Sequence, residues 1–418
     1  MAAIGAVTAL AATGCANNST EGAGETGGTT TKELIVSTDL PLQGSSGSQS
    51  DSTNKMIQLY LDSVGNKAGN YTVKLKTYDD STAAKGAWDD AACAKNATDH
   101  VANENEVAVM GTLNSGCAKI IVPTLNRDTD GPMLMVSHAN TNVGLTKKWE
   151  TGEPEKFYPT GKRNYARVVT TDDYQGNAAA TFVKEKLQSK RCFVLNDNQT
   201  YGIGVGKSFA DAAKTAGIEI VGEQAWDAKQ PNYTALFQAV KASNADCVYL
   251  AGIYDNNGGQ LVKDKVAVLG KNSGDVKLMA PDGFTGYPDL QKLTEAEGMY
   301  LTFPGLATEE LTKVGGPTAK LIADYKAKHN ADPVGNYPLL GVAAMQVMLA
   351  AIEKSDGTRA GVTNAVFSGE GITIPKDVSV LGKEIKIDTK TGDTTSKDVT
   401  VELMKGSKET FFQTQTVD

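Results

Sequence analysis

The stretch Gly111-Thr112-Leu113-Asn114-Ser115-Gly116-Cys117 follows the apolar run Val107 to Met110 and precedes the helically spaced Ala118 to Asn126. All of it but Leu113 is small or polar. Three chemistries suit such a turn: a nucleophile, a phosphate cradle, or a clamp for a small anion. A nucleophile elbow needs glycine two residues before its serine, and Leu113 holds that place. A phosphate loop needs Gly-Lys-Ser, but Gly116 is followed by Cys117 and Ala118. Tyr201-Gly202-Ile203-Gly204-Val205-Gly206-Lys207-Ser208 ends correctly for such a loop, yet Tyr201 stands where the first glycine must let the backbone approach phosphates. Of the three histidines, His100 and His329 fall at helix ends and read as surface charges, while His138 follows a strand and reads as pocket lining or packing. Neither H-E-x-x-H nor C-x-x-C occurs, so no metal site and no cofactor are expected. Without a base–nucleophile pair, no enzyme is expected either. What remains is Ser115 beside helix-start amides, a suitable receiver for a carboxylate.

These residues must be held by a regular frame, and the chain alternates strand and helix from Glu33 onward. Leu34 to Val36, Val73 to Tyr78, Val107 to Met110 and Met133 to Val136 read as strands separated by helical spacing. The pattern restarts with Arg191 to Asn196, Ile218 to Val221, Asp246 to Ala251 and Val276 to Ala280. Alternation of this length implies parallel sheets covered on both faces, here two Rossmann-like, doubly wound α/β lobes. Helices at Thr318 to His329 and Leu339 to Lys354 follow, and Glu384 to Asp388 with Val399 to Met404 reads as a β-hairpin around a polar turn. Open α/β sheets bind ligands at the carboxyl ends of their strands. In the first array those ends carry Ser115 and Ser137-His138-Ala139-Asn140-Thr141. In the second they carry Tyr201, Tyr254-Asp255 and Pro281-Asp282-Gly283.

The ordered set PLQG (41–44), YDDS (78–81), GTLNSG (111–116), VSHANTN (136–142), QTYGIG (199–204), APDG (280–283), EGMYLT (297–302) and IDTKTGD (387–393) resembles the type I periplasmic binding proteins of ABC importers. The resemblance is to the leucine/isoleucine/valine-binding family in particular, and it covers nearly all of Leu34 to Met404. It implies two lobes joined by a three-segment hinge, with crossings near Tyr165, Met299 and Gly369, and a cleft that closes on an amino acid. The first lobe would take residues 32–165 plus 300–368, the second residues 166–299 plus 369–418. By the same resemblance Ser115 grips the ligand carboxylate, Thr141 bridges carboxylate and amine, and Ala139 offers its carbonyl to the amine. Tyr201 and Tyr254 cover the ligand, and Asp282 pairs with the ammonium. ABC permease subunits are the implied partners, with the protein itself a monomer. A sensor module on the same fold, or transport of an amide, urea or aromatic acid, is the alternative. Gln49 stands where the family often has an aromatic residue, which leaves the preferred side chain open.

Composition agrees with an extracytoplasmic protein. At 418 residues the chain exceeds one typical core, and its net charge of −8 argues against nucleic acid. Met1 to Gly14 is short, apolar and small, and Ala12-Thr13-Gly14-Cys15 resembles a lipobox in which Cys15 would carry a lipid anchor to the membrane. Residues 1–31 would then be signal and flexible tether, since Cys15 to Thr31 contains nothing large and apolar. Setting Cys15 aside leaves four cysteines. Pairing within halves would join Cys93 to Cys117 and Cys192 to Cys247, the alternative being four buried free thiols.

Overall fold

Strand–helix alternation produces two separate sheets, which the computed structural model describes over residues 32–416. Cys15, with the expected signal and tether, lies outside the described residues. The first sheet begins with β1 (Glu33–Leu40), β2 (Lys67–Ala68) and β3 (Tyr71–Asp79). A small ribbon, β4 (Ser81–Thr82) with β5 (Ala87–Trp88), precedes β6 (Glu106–Gly111), β7 (Leu134–Ser137) and β8 (Tyr165–Arg167). Their order is β2-β3-β1-β6-β7-β8, parallel except for β2 on β3. The second sheet uses β9 (Arg191–Asn196), β10 (Glu219–Ala225), β11 (Cys247–Ala251), β12 (Lys277–Ala280) and β13 (Tyr300–Phe303), ordered β10-β9-β11-β12-β13 and all parallel. In each sheet the order reverses at the first strand, so a crevice opens beyond β1 and β6 and another beyond β9 and β11.

Helices α1 (Gly47–Ser63), α2 (Asp90–Ala102) and α3 (Ser115–Asn126) connect the first sheet. The second sheet is served by α4 (Asp172–Phe182), α5 (Thr200–Ala216), α6 (Thr234–Ala242), α7 (Gly258–Leu269) and α8 (Pro288–Lys292). The chain then returns through α9 (Thr308–Val314), α10 (Gly316–His329), α11 (Tyr337–Glu353) and α12 (Arg359–Phe367). α11 is apolar on every face, and of its 17 residues only Ala350 and Glu353 escape burial. Such a helix belongs in a core rather than on a surface, and it packs on α1 and against β6 and β7. No helix among the described residues is long and apolar enough to cross a membrane.

Two expected crossings move. β13 pairs with β12, so the second crossing follows Phe303 instead of Met299. Beyond Gly369 the chain stays with the first lobe. Ile372, Ile374, Val380, Leu381, Ile385 and Ile387 join the core around α11, partly through the two-residue strands β14 (Thr373–Ile374) and β15 (Ile385–Lys386). The third crossing therefore follows Ser396. The expected hairpin is also repartnered. β16 (Asp398–Met404) pairs with β13 on one side and β17 (Glu409–Thr416) on the other, both antiparallel. The segment that was expected to pair with β16 pairs instead with β14 through β15, and Ile387 adds an isolated bridge to Thr394.

The four cysteines are joined within halves. Cys93 on α2 meets Cys117 on α3, with α-carbons 5.6 Å apart, and Cys192 on β9 meets Cys247 on its sheet neighbour β11 at 4.4 Å.

His100 departs from its expected place on the surface. Its ring is fully buried, with Nε2 3.1 Å from Asp39 and Nδ1 2.5 Å from Glu106. Glu106 also accepts from Tyr78 and Asn103 at 2.9 Å. Burial alone would lower the imidazole pKa, but the bonds to Asp39 and Glu106 outweigh it and raise it to about 9. A folded pKa above the unfolded value gives stability that is complete below about pH 6.5 and lost as pH rises through about 9. Urea unfolding between pH 6 and pH 9.5 checks this; the free energy falls across that window, and His100→Gln flattens the profile. A wild-type profile that stays level would contradict a charged His100.

Candidate functional site

Both crevices face each other, and the loops beyond the strands meet around a small, narrow cavity. Gln49, Leu113, Asn114, Ala139 and Tyr337 contribute from the first lobe, and Tyr201, Ile253, Asp282, Gly283 and Tyr287 from the second. The floor on the first side is the start of α3. Asn114 precedes the helix in extended conformation and makes no side-chain cap. The first-turn amides of α3 therefore have no intrahelical acceptor and no cap. Ser115 is buried there, its Oγ 3.5 Å from the Asn142 amide.

The neighbouring loop, Ala139 to Asn142, is held from below by Arg167. This fully buried guanidinium donates to the carbonyls of Asn140 (2.9 Å) and Asn142 (2.8 Å), to Thr146 Oγ1 (2.5 Å) and to Asp393 (2.7 Å). Thr141 is buried one layer behind the cavity. Its carbonyl accepts the Asp172 amide at 2.9 Å, and its hydroxyl lies against the Asp172 carboxyl.

On the opposite wall Asp282 is 4% exposed. Its Oδ1 accepts from Tyr201 Oη and Gln175 Nε2, both at 2.6 Å, and its Oδ2 accepts from Tyr337 of the other lobe. Burial raises the carboxyl pKa against the lowering effect of these donors. Asp172 nearby is fully buried and is raised well above the carboxylate range, first by burial and then by Asp282. The loop carrying Asp282 lies tight on its neighbour: a β-carbon at Gly283 would sit 2.2 Å from the Gly252 carbonyl oxygen.

Further contacts cross between lobes around this cavity. Gln49 Nε2 donates to Thr285 O (3.0 Å), Asn142 Nδ2 to Thr200 O (3.2 Å), and Ser46 to the Asp255 carboxylate. The cleft is shut.

Ala139, Tyr201 and Asp282 thus stand on the cavity, with Ser115 and Thr141 just behind it. Tyr254 does not reach it. Its ring packs on Phe284 and Tyr287 at centroid distances of 6.0 and 4.9 Å, inside the core of the second lobe. Tyr287 and Tyr337 form the walls instead, and sequence reasoning missed both. A signal existed: each stands immediately before a proline in the first turn of a helix, Pro288 in α8 and Pro338 in α11. His138 is buried behind Tyr337, edge-on at 5.5 Å, and desolvation lowers its pKa to about 3, so it packs as a neutral ring. Among the described residues, one set of three metal-ligating groups lies close together, Asp80 with Cys93 and Cys117. Both sulfurs of that set are joined to each other.

A family model described as "Periplasmic binding protein" matches residues 40–402. The Leu/Ile/Val-binding protein BraC3 of Rhizobium johnstonii is 25% identical over 367 residues, 87% of this chain and 90% of that protein. The leucine-specific-binding protein of Salmonella typhimurium is 27% identical over 257 residues, 61% of this chain and 62% of that relative. Among solved structures, the leucine binding protein LivK of Thermotoga maritima has a TM-score of 0.72 at 21% identity, covering 91% of this chain and 98% of its own. A solute binding protein of Rhodopseudomonas palustris, in complex with p-hydroxybenzoic acid, has a TM-score of 0.75 at 18% identity, covering 92% and 97%. These structural likenesses establish the fold.

Proposed function

The chain belongs to the periplasmic binding protein family, and on that ground we propose that it captures an amino acid, branched-chain or similar, and delivers it to an ABC permease. The observation that carries this reading is the pairing of opposite demands across one small cavity. Open helix-start amides beside Ser115 suit a carboxylate, and a buried acid, Asp282, faces them from the other lobe. A zwitterion satisfies both ends at once. The α-carboxylate would lie on the start of α3 and Ser115, with Thr141 oriented behind it. The ammonium would be received by Asp282 and the Ala139 carbonyl, with Tyr201 closing over it. Leu113, Ile253 and the rings of Tyr287 and Tyr337 supply an apolar surface for a side chain. Tyr254 would act at one remove, backing Tyr287.

The aromatic-acid alternative is disfavoured by Asp282, whose charge a benzoate would meet without an ammonium to neutralise it. A sensor module would bind by the same geometry, and the two differ only in what docks on the closed lobes. Extracytoplasmic work as a monomer, with a lipid on Cys15 as tether, belongs to the same proposal. Mass spectrometry of the membrane-extracted protein tests the lipid.

Ligand binding to the folded state raises the melting temperature in proportion to the logarithm of ligand concentration over Kd. A thermal-shift screen of residues 32–418 against the amino acids, small amides and aromatic acids is therefore expected to pick out aliphatic amino acids. If an aromatic acid or an amide shifts melting and no amino acid does, the assignment fails.

A further inference from the structure

Helix α1 begins without the acidic residue that a long helix usually recruits. Its first turn has none, and Ser46, which precedes it, makes no side-chain cap of its own. The missing charge comes from the other lobe. Asp255, in the loop after β11, accepts the Ser46 amide at 3.0 Å on one oxygen and the Ser46 hydroxyl at 2.5 Å on the other. The second oxygen also accepts from Tyr287 Oη at 2.8 Å, and the Ser46 and Tyr287 hydroxyls lie 3.2 Å apart. A carboxylate on a helix start gains from both the open amide and the helix dipole. Here that gain exists only while the lobes are together. On opening, Ser46 leaves and Asp255 keeps Tyr287 alone.

Neither Asp255 nor Ser46 lines the cavity, whereas Tyr287 does. The network therefore touches the ligand only through the Tyr287 ring, whose hydroxyl is fixed from behind. We propose that Asp255 is a positioning residue that holds the closed form by capping α1 of the opposite lobe, and so sets how long any ligand is retained, whatever its side chain. This rests on the binding reading only in requiring that a ligand occupy the shut cleft.

The test compares Asp255→Asn, Ser46→Ala and the double variant with the unaltered protein by stopped-flow binding of every amino acid that shifts melting. Losing hydrogen bonds to a charged group is expected to speed release roughly tenfold for Asp255→Asn, by a similar factor for each ligand, with association changed much less. The double variant should release no faster than Asp255→Asn alone, because both changes remove one interaction. Spin labels on Ser63→Cys in the first lobe and Lys241→Cys in the second read the interlobe distance with no ligand present. Fewer short distances are expected in Asp255→Asn. Unchanged release and unchanged distances overturn the latch, as do losses that simply multiply in the double variant. If no amino acid binds but Asp255→Asn still lengthens the interlobe distance, the latch stands and the amino-acid reading falls.

Discussion

Asp282→Asn is expected to move stability and binding in opposite directions. Burial raises the Asp282 pKa, so holding its charge costs more in the folded protein than in the unfolded chain. That cost is absent below the unfolded pKa and sets in as pH rises through the folded one. Asparagine keeps the shape and removes the charge, so the unliganded variant should melt higher than the unaltered protein at pH 7. An ammonium then finds an amide instead of a carboxylate. Hydrogen bonds to charged groups contribute about 1.5–3 kcal/mol, so affinity for an amino acid should fall by roughly ten- to two-hundredfold. Calorimetric titration and differential scanning on the same sample read both signs. Unchanged affinity would remove Asp282 from the ligand set, and lowered melting would show that its three donors need the charge.

Arg167→Met should produce the largest loss of stability. The guanidinium is fully buried and satisfies Asp393, two backbone carbonyls and a hydroxyl. Methionine fills part of the volume but removes the donor to all four, leaving the Asp393 charge with the Thr146 hydroxyl and, at 3.8 Å, Lys147. Breaking a buried pair by removing one partner costs about 3–5 kcal/mol. Urea unfolding measures it, and Arg167→Met combined with Asp393→Asn should recover part of the loss because no charge is then stranded. A loss below about 1 kcal/mol, the level of an exposed pair, would contradict the picture. Because Arg167 holds the Ala139–Asn142 loop, ligand affinity should weaken along with stability.

The frame of this molecule is legible in its sequence because buried parallel strands are written as continuous apolar runs, and the loops beyond them as small and polar residues. Val107 to Met110 followed by Thr112 to Ser115 is a strand pointing into a crevice, and no partner need be known to see it. What escaped depends on partners distant along the chain. β14 and β15 are two residues each and carry no periodicity, so nothing local marks residues 369–396 as part of the first lobe. His100 looks solvated because its neighbours on α2 are polar, yet the groups that bury it are Asp39 and Glu106 on two strands. Tyr254 and Tyr287 both follow strands of the second sheet. Which one faces the cleft is decided by the packing of Phe284 against Tyr254, a contact local composition does not encode. The role of Arg167 is hidden for the same reason, since its acceptors lie in two distant segments, Asn140 to Thr146 and Asp393.

The placement of α11 bears on the order in which a chain emerging from one end can fold. The second sheet's parallel strands, β9 to β13, lie in one uninterrupted stretch that also contains Cys192 and Cys247. The first lobe is different: β1, β6 and β7 come early, but the helix that fills their core starts only at Tyr337. Until then the apolar face of that sheet has the side chains of α1 (Met56, Ile57 and Leu61) but not those of α11, and contacts so far apart along the chain form slowly. The half that appears first is thus the half completed last, and its early strands need shielding while the later half already has its parallel sheet and its cross-link within reach.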